Sequence, residues 1–290
     1  MSRKSWFLFF VVGLLWGIPY LLIRVAVNEH IHPSIVVISR VVVGAVLLIP
    51  FSFRRKTLGA ALAQWKTILP YAIGEMIVPW FFITTAEQKL SSGLAGLLVA
   101  TVPIWSTILA SINGDKTVWH HKRLLGMLVG FIGIVLVVGV ESIKGHANLF
   151  SIFLILIASI SYAWSVTRVN RKIPHIDSIA INGIAMAMTS LFCLPIALMH
   201  LPKVAPTLKA DLSLVGLGLF PTAFAFALFF ILMKDIGPAR ASLVTYLNTA
   251  IAVVLGVLFL SEKLTTGIIV GLPLVLIGSY FASRKPALTQ

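Results

Sequence analysis

The chain has 290 residues, 59% of them hydrophobic and 11% charged, with a mean hydropathy of +1.01. Water-soluble domains carry about 45–50% apolar and about 25% charged residues, so a soluble globular protein is excluded. The net charge of +14 would point a soluble chain toward nucleic acid or acidic partners. Here no basic face with interleaved aromatics lies outside the apolar runs, and lysine and arginine sit in short loops, where they orient helices and meet anionic lipid.

The N-terminal stretch MSRKSWFLFFVVGLLWGIPYLLI joins a basic start to an apolar run. The run is longer than the roughly 7–15 residues of a signal-peptide core and lacks an A-x-A site, so it reads as a first spanning helix. Ten such runs are expected, at 5–27, 34–53, 67–87, 92–113, 122–140, 149–170, 178–200, 212–234, 239–261 and 266–283. Each is close to the ~20 residues that cross a ~30 Å hydrocarbon layer. None shows the period-two alternation of a barrel strand, and lipid requires every backbone polar group to be satisfied within its segment. The fold class is therefore an all-α membrane protein with ten transmembrane helices.

Placing the N-terminus inside puts Arg3, Lys4, Arg54, Arg55, Lys56, Lys66, Lys116, Lys122, Arg123, Arg168, Arg171, Lys172, Lys234, Arg240, Arg284 and Lys285 on the cytoplasmic side. Arg24, Lys89, Lys144, Lys203, Lys209 and Lys263 fall outside, and Arg40 lies within a span. This asymmetry places both termini in the cytoplasm.

Two stretches, Ser91–Lys116 and Ala239–Lys263, each run from small residues through an apolar core to an acid–lysine pair, Asp115-Lys116 and Glu262-Lys263. Arg24-Val25 and Arg168-Val169 match at an offset of 144 residues, as do Ser34-Ile35 and Ser178-Ile179. Gly126 and Gly133 share the spacing of Gly271 and Gly278. A repeat of five spans must cross the membrane in opposite senses in its two copies, which puts a solute site near the midplane between them.

Glu75 lies about nine residues into the third span from the inside, roughly 13 Å deep, and Arg40 about six residues into the second from the outside, roughly 9 Å deep. A charge at such depth costs at least ~2.5 kcal/mol unless it pairs or faces water. Two readings stand side by side. Glu75 is a cavity carboxylate that binds an amine or relays a proton, or Arg40 and Glu75 form a structural ion pair. Trp16 and Tyr20 share one face of the first span. Trp80, Trp105, Trp164, Tyr246 and Asn248 also lie mid-span, as does Tyr162. These residues suit either the walls of an apolar cavity with a few polar handles or plain core packing. Trp6, Trp65 and Trp119 sit where interfacial anchors belong.

Pro19, Pro79, Pro103 and Pro221 interrupt spans and mark kinks. Gly126-x-x-x-Gly130 and Gly267-x-x-x-Gly271 permit close helix contact, within the chain or between protomers. Cys193 alone can form neither a disulfide framework nor a thiol metal site. No Walker motif, metalloprotease motif or nucleophile elbow occurs, so neither an ATP motor nor an enzyme is expected, and no metal or cofactor.

The stretches LLWGIPYLLIRVAV, ISRVVVGAVLLIP and above all GPARASLVTYLNTAIAVVLGVLFLSEKLTTGIIVGLPLVLIGSYFAS resemble the drug/metabolite transporter superfamily, EamA type. The resemblance covers nearly all ten spans. It implies two inverted five-helix repeats, 1–143 and 144–290. It also implies a central cavity lined by spans one, three, four, six, eight and nine, with spans five and ten as scaffold. Two departures stand out: Asn248-Thr249-Ala250 lacks the family's proline, which the first half keeps as Pro103, and Gly114-Asp115 replaces its glycine–glutamate pair.

The expected function is that of a secondary transporter in the bacterial cytoplasmic membrane. It would export small metabolites such as amino acids by alternating access, the alternative being efflux of lipophilic cations or drugs. Expected partners are a small-molecule substrate, the lipid bilayer and a proton or counter-substrate, with a homodimer left open and no nucleic acid. Site candidates are Glu75, Arg40, Trp16, Tyr20, Trp80, Trp105, Trp164, Tyr246 and Asn248.

Overall fold

The computed structural model describes residues 2–114, 119–143, 148–236, 241 and 243–283. Asp115-Lys116, Lys144, Arg240, Arg284, Lys285 and the start of the expected ninth span lie outside them. The described residues are helical, and the helices begin where short polar side chains precede an apolar run. Helix α1 (Arg3–Asn28) is capped by Ser2, α2 (Pro33–Arg54) by His32 with Pro33 in the first turn, and α6 (Ser92–Val99) by Ser91. Asn148 caps α9 (Leu149–Lys172), Asp177 caps α10 (Ser178–Met199) and Thr207 caps α11 (Leu208–Gly218). In each case a side-chain acceptor takes a backbone N–H that the first turn leaves free. A short helix α3 (Leu58–Leu62) lies between α2 and the next span.

Three expected spans are broken, each at a proline. The third comprises α4 (Trp65–Ala72), a π-helical turn (Ile73–Ile77) and α5 (Val78–Glu87). Pro79 has no N–H for the carbonyl of residue 75 and its ring crowds that oxygen. The helix widens, and the Val78 N–H reaches back to the Ile73 carbonyl. The eighth behaves likewise: α11 passes through a π turn (Leu219–Phe224) containing Pro221 into α12 (Ala225–Ile236). The fourth breaks at Ala100-Thr101, between α6 and α7 (Val102–Ile112), immediately before Pro103.

The remaining helices are α8 (His121–Ile143), α13 (Val244–Leu260) and α14 (Thr266–Ser283). Among the described residues, 7 helical segments are long and apolar enough to cross a membrane, the α6–α7 segment Ser92–Ile112 included. The other three of the ten expected spans fall on α8 and on two shorter apolar helices, α13 and α14, of 17 and 18 residues. Large apolar side chains such as Phe7, Val46, Leu128, Leu191 and Phe259 point outward, as a surface facing lipid requires.

Packing pairs α8 with α14, α2 with α10, α1 with α13 and α5 with α9, while α6 lies against α13 and α7 against α9. The α8–α14 seam is backbone against backbone. A Cβ on Gly278 would stand 2.3 Å from the Gly130 nitrogen, and one on Gly126 would stand 2.5 Å from the Ala282 nitrogen. The glycine spacing of α8 therefore serves contact within the chain.

At one end of the bundle the N-terminus of α2 meets the C-terminus of α10, where the His32 and His200 rings stack at 3.8 Å. His32 Nδ1 accepts the Ser34 N–H at 3.2 Å. Partial burial and the facing His200 ring hold His32 below the usual imidazole range.

Two predictions follow from these contacts. Gly278→Val should cost about 1–3 kcal/mol by forcing α8 and α14 apart, whereas Gly59→Ala, which meets nothing within 4 Å, should be silent. Heat-induced labelling of buried Cys193 by a thiol dye reads both. Because the unfolded chain binds a proton at His32 more readily than the folded one, stability should fall as pH drops through the imidazole range. His200→Asn should shrink that loss in the same assay.

Candidate functional site

The centre of the bundle is built around Arg40 on α2, which is 7% exposed. Its guanidinium lies over the Trp80 ring of α5 at 3.8 Å from the centroid. Its Nε donates to Thr222 Oγ1 in the second π turn at 3.5 Å. Its two terminal nitrogens have no protein acceptor among the described residues. Tyr20 and Tyr162 also face Arg40, from α1 and α9. Trp16, one turn before Tyr20, donates from Nε1 to the Pro221 carbonyl at 3.2 Å and packs on Phe226 and Phe229 of α12. Each π turn thus has a carbonyl taken up by a side chain from a neighbouring helix. The other is Gly74, whose carbonyl accepts from Ser161 Oγ of α9 at 2.9 Å.

Glu75 lies in the first π turn, half-buried, and accepts from Ser165 Oγ of α9 at 2.6 Å. The expected alternative of an Arg40–Glu75 ion pair is not realised. The salt bridge found among the described residues is Arg55–Asp177 at 3.3 Å. Tyr162 is within electrostatic reach of both Glu75 and Arg40. Tyr71, one turn before Glu75, donates to Asn182 Oδ1 of α10 at 3.0 Å.

The two ends of the bundle differ. Where α6 begins, the Glu262 carboxylate takes the N–H groups of Ser92 at 2.7 Å and Gly93 at 3.1 Å and the Ser92 hydroxyl at 3.0 Å. The Arg24 guanidinium donates to the Glu87 carbonyl beside it. This end is tied shut. At the other end, where α7 and α9 finish, a cleft of about 280 Å³ is lined by Asn113, Trp164, Thr167, Arg168, Arg171 and Lys172, with Leu109. Arg171 hydrogen-bonds Asn113 there, and Arg168 lies over Trp164 at 5.5 Å.

The candidates therefore separate into groups. Arg40, Trp80, Tyr20 and Trp16 converge on the centre, with Glu75 held by Ser165 of α9 and within electrostatic reach of Tyr162. Trp164 is 41% exposed and stands in the cleft at the mouth. Trp105 bonds Thr101 Oγ1 at 3.1 Å and packs edge-on against Phe131 of α8. Tyr246 lies edge-on to Tyr280 of α14, and the Asn248 amide oxygen accepts from Thr249 Oγ1 at 3.3 Å. Thr222, Ser161 and Ser165 join the site without having been singled out, and Tyr162, noted only among the mid-span aromatics, joins it too. Their signal is faint: a tyrosine and three small hydroxyl residues in apolar spans, two of the hydroxyls one turn apart on α9.

This helical bundle, with an apolar exterior and a buried polar centre, defines a multi-pass membrane protein of the solute-transporter class. The model of the EamA-like transporter family matches residues 3–139 and again residues 149–284, and the chain belongs to that family. It is a transporter rather than an enzyme, acting on small molecules in a lipid bilayer. It is 30% identical over 290 residues to the uncharacterized inner membrane transporter YedA of Escherichia coli K12, covering 96% of this chain and 92% of that one. An uncharacterized transporter of Archaeoglobus fulgidus is 25% identical over 289 residues, covering 97% and 99%, and YoaV of Bacillus subtilis is 27% identical, covering 94% and 96%. A protein of known crystal structure superposes with a TM-score of 0.68 at 18% identity, over 98% of this chain and 97% of that one, a likeness of fold alone.

The contact between Arg40 and Trp80 can be weighed by a double-mutant cycle. Trp80→Leu combined with Arg40→Met should reveal a coupling of about 0.5–2 kcal/mol in thermal unfolding followed at Cys193. A coupling near zero would mean that the indole merely fills space.

Proposed function

We propose that the chain is a secondary transporter that exports small zwitterionic metabolites such as amino acids by alternating access. The observation that carries this reading is a pair of opposite charges held apart in the centre of the bundle. Arg40 presents two terminal nitrogens without a protein acceptor, and Glu75 presents a carboxylate bonded only by Ser165 among the described residues. A guanidinium with two N–H-bearing terminal nitrogens suits a carboxylate bidentately, and the Glu75 carboxylate suits the ammonium of the same molecule. Trp16, Tyr20 and Trp80 would wall the space between, in the manner of an apolar site with few polar handles. Trp105, Trp164, Tyr246 and Asn248 are assigned to the path leading to it, Trp164 at the mouth.

Two inverted repeats, 1–143 and 144–290, with ten spans and both termini cytoplasmic, complete the proposal. Its support is the double match of the family model and the two π turns, at Ile73–Ile77 and Leu219–Phe224. Trp16 serves the second turn and Ser161 the first, each from the opening helix of the opposite half. Export would draw on a proton or counter-substrate, because the chain carries no Walker motif.

Proteoliposome exchange across a panel of labelled amino acids tests the reading. Glu75→Gln and Arg40→Ala should each lower it about 10–100-fold, the loss of one charge-assisted contact of about 1.5–3 kcal/mol, while the protein stays folded. The second reading, efflux of lipophilic cations, rests on the acidic and aromatic part of the same centre. It would gain if Arg40→Ala spared cation efflux and the wild type moved no amino acid.

A further inference from the structure

A second acidic centre, distinct from Glu75 and within electrostatic reach of Arg40, lies at the closed end. Glu87, the last residue of α5, is 0% exposed, and neither carboxylate oxygen has a hydrogen-bond partner among the described residues. Thr84, one turn earlier on the same face, is also 0% exposed with its hydroxyl unpartnered. The groups facing the carboxylate are Tyr20 and Arg24 from α1, Arg40 from α2 and Glu262 from the link between α13 and α14. None lies within ion-pair distance, and Arg24 spends its hydrogen bond on the Glu87 carbonyl. On α9 the nearest member of this network is Tyr162, which faces Arg40. Glu262, which holds Ser92 and Gly93, is within electrostatic reach of the carboxylate.

An ionised carboxylate with no hydrogen bond in such surroundings is strongly disfavoured, and the group resolves this by taking a proton. A metal ion would need a shell of oxygen ligands, whereas this pocket is faced by two guanidinium groups. A proton needs one lone pair.

We propose that Glu87 is a proton-binding site for coupling: it holds a proton while the Glu262 end is closed and releases it to water when that end opens. In the step, one O–H bond forms on a carboxylate oxygen as the site closes and breaks to solvent as it opens, with no other bond changed. The coupling role rests on the transporter reading, whereas proton binding itself does not. The site differs from Glu75, which keeps a hydroxyl donor and faces the substrate space.

Infrared titration of the purified protein in lipid nanodiscs tests proton binding without any substrate. At neutral pH the wild type should show a carboxylic-acid carbonyl absorption that Glu87→Gln removes and Glu75→Gln leaves in place. Glu87→Gln copies the neutral acid in shape, so it should fold and match or exceed the wild type in thermal stability at alkaline pH. In proteoliposomes it should keep solute exchange but lose accumulation driven by a pH gradient. Three outcomes overturn the proposal: an absorption unchanged in Glu87→Gln, a variant less stable than wild type at every pH or unable to fold, or an acid band that sodium rather than alkali removes. Absence of solute exchange in the wild type would sink the transporter reading and leave the infrared result standing on its own.

Discussion

A carbonyl freed inside a lipid-embedded helix has no water to turn to, and much of this structure follows from how such carbonyls are answered. Pro79 and Pro221 each widen their helix into a π turn. Ser161 answers Gly74, Trp16 answers Pro221, and Thr222 closes on the carbonyl of Leu217. These bonds help hold α9 against α5 and α1 against α12. The distortion also sets the polar centre. Glu75 sits in one π turn and Thr222, which steadies Arg40, sits in the other.

Much of the architecture was open to reading from the sequence, because lipid imposes one rule on every span. Runs of about 20 apolar residues mark each helix, and glycines at four-residue spacing mark the α8 side of the seam with α14. Prolines mark the three breaks. Chemistry spread over distant residues was harder to read. Arg40 and Glu75 are near enough in level for a long arginine side chain to span most of the gap, yet depth says nothing of azimuth, and the Arg40 guanidinium lies over Trp80 instead. Trp105 and Tyr246 sit mid-span as cavity residues would, but turn toward Phe131 and Tyr280.

Glu87 was hidden for a different reason. It ends an apolar run and precedes Gln88 and Lys89, as any interfacial acid might. Only the closing of α1, α2 and the Glu262 link over it makes it a buried carboxylate. The role of Glu262 is equally illegible locally, since it caps a helix about 170 positions earlier in the chain.

The turn that delivers Glu262 carries an opposing tension. Ser261, just past the end of α13, has φ of 56°, the left-handed region, where a helix usually ends in glycine. A side chain there costs about 1–2 kcal/mol. The carboxylate offsets it with three charge-assisted bonds, each worth about 1.5–3 kcal/mol at best. The three bonds therefore outweigh the strain of the turn that delivers them, which is why a serine is held where glycine is usual.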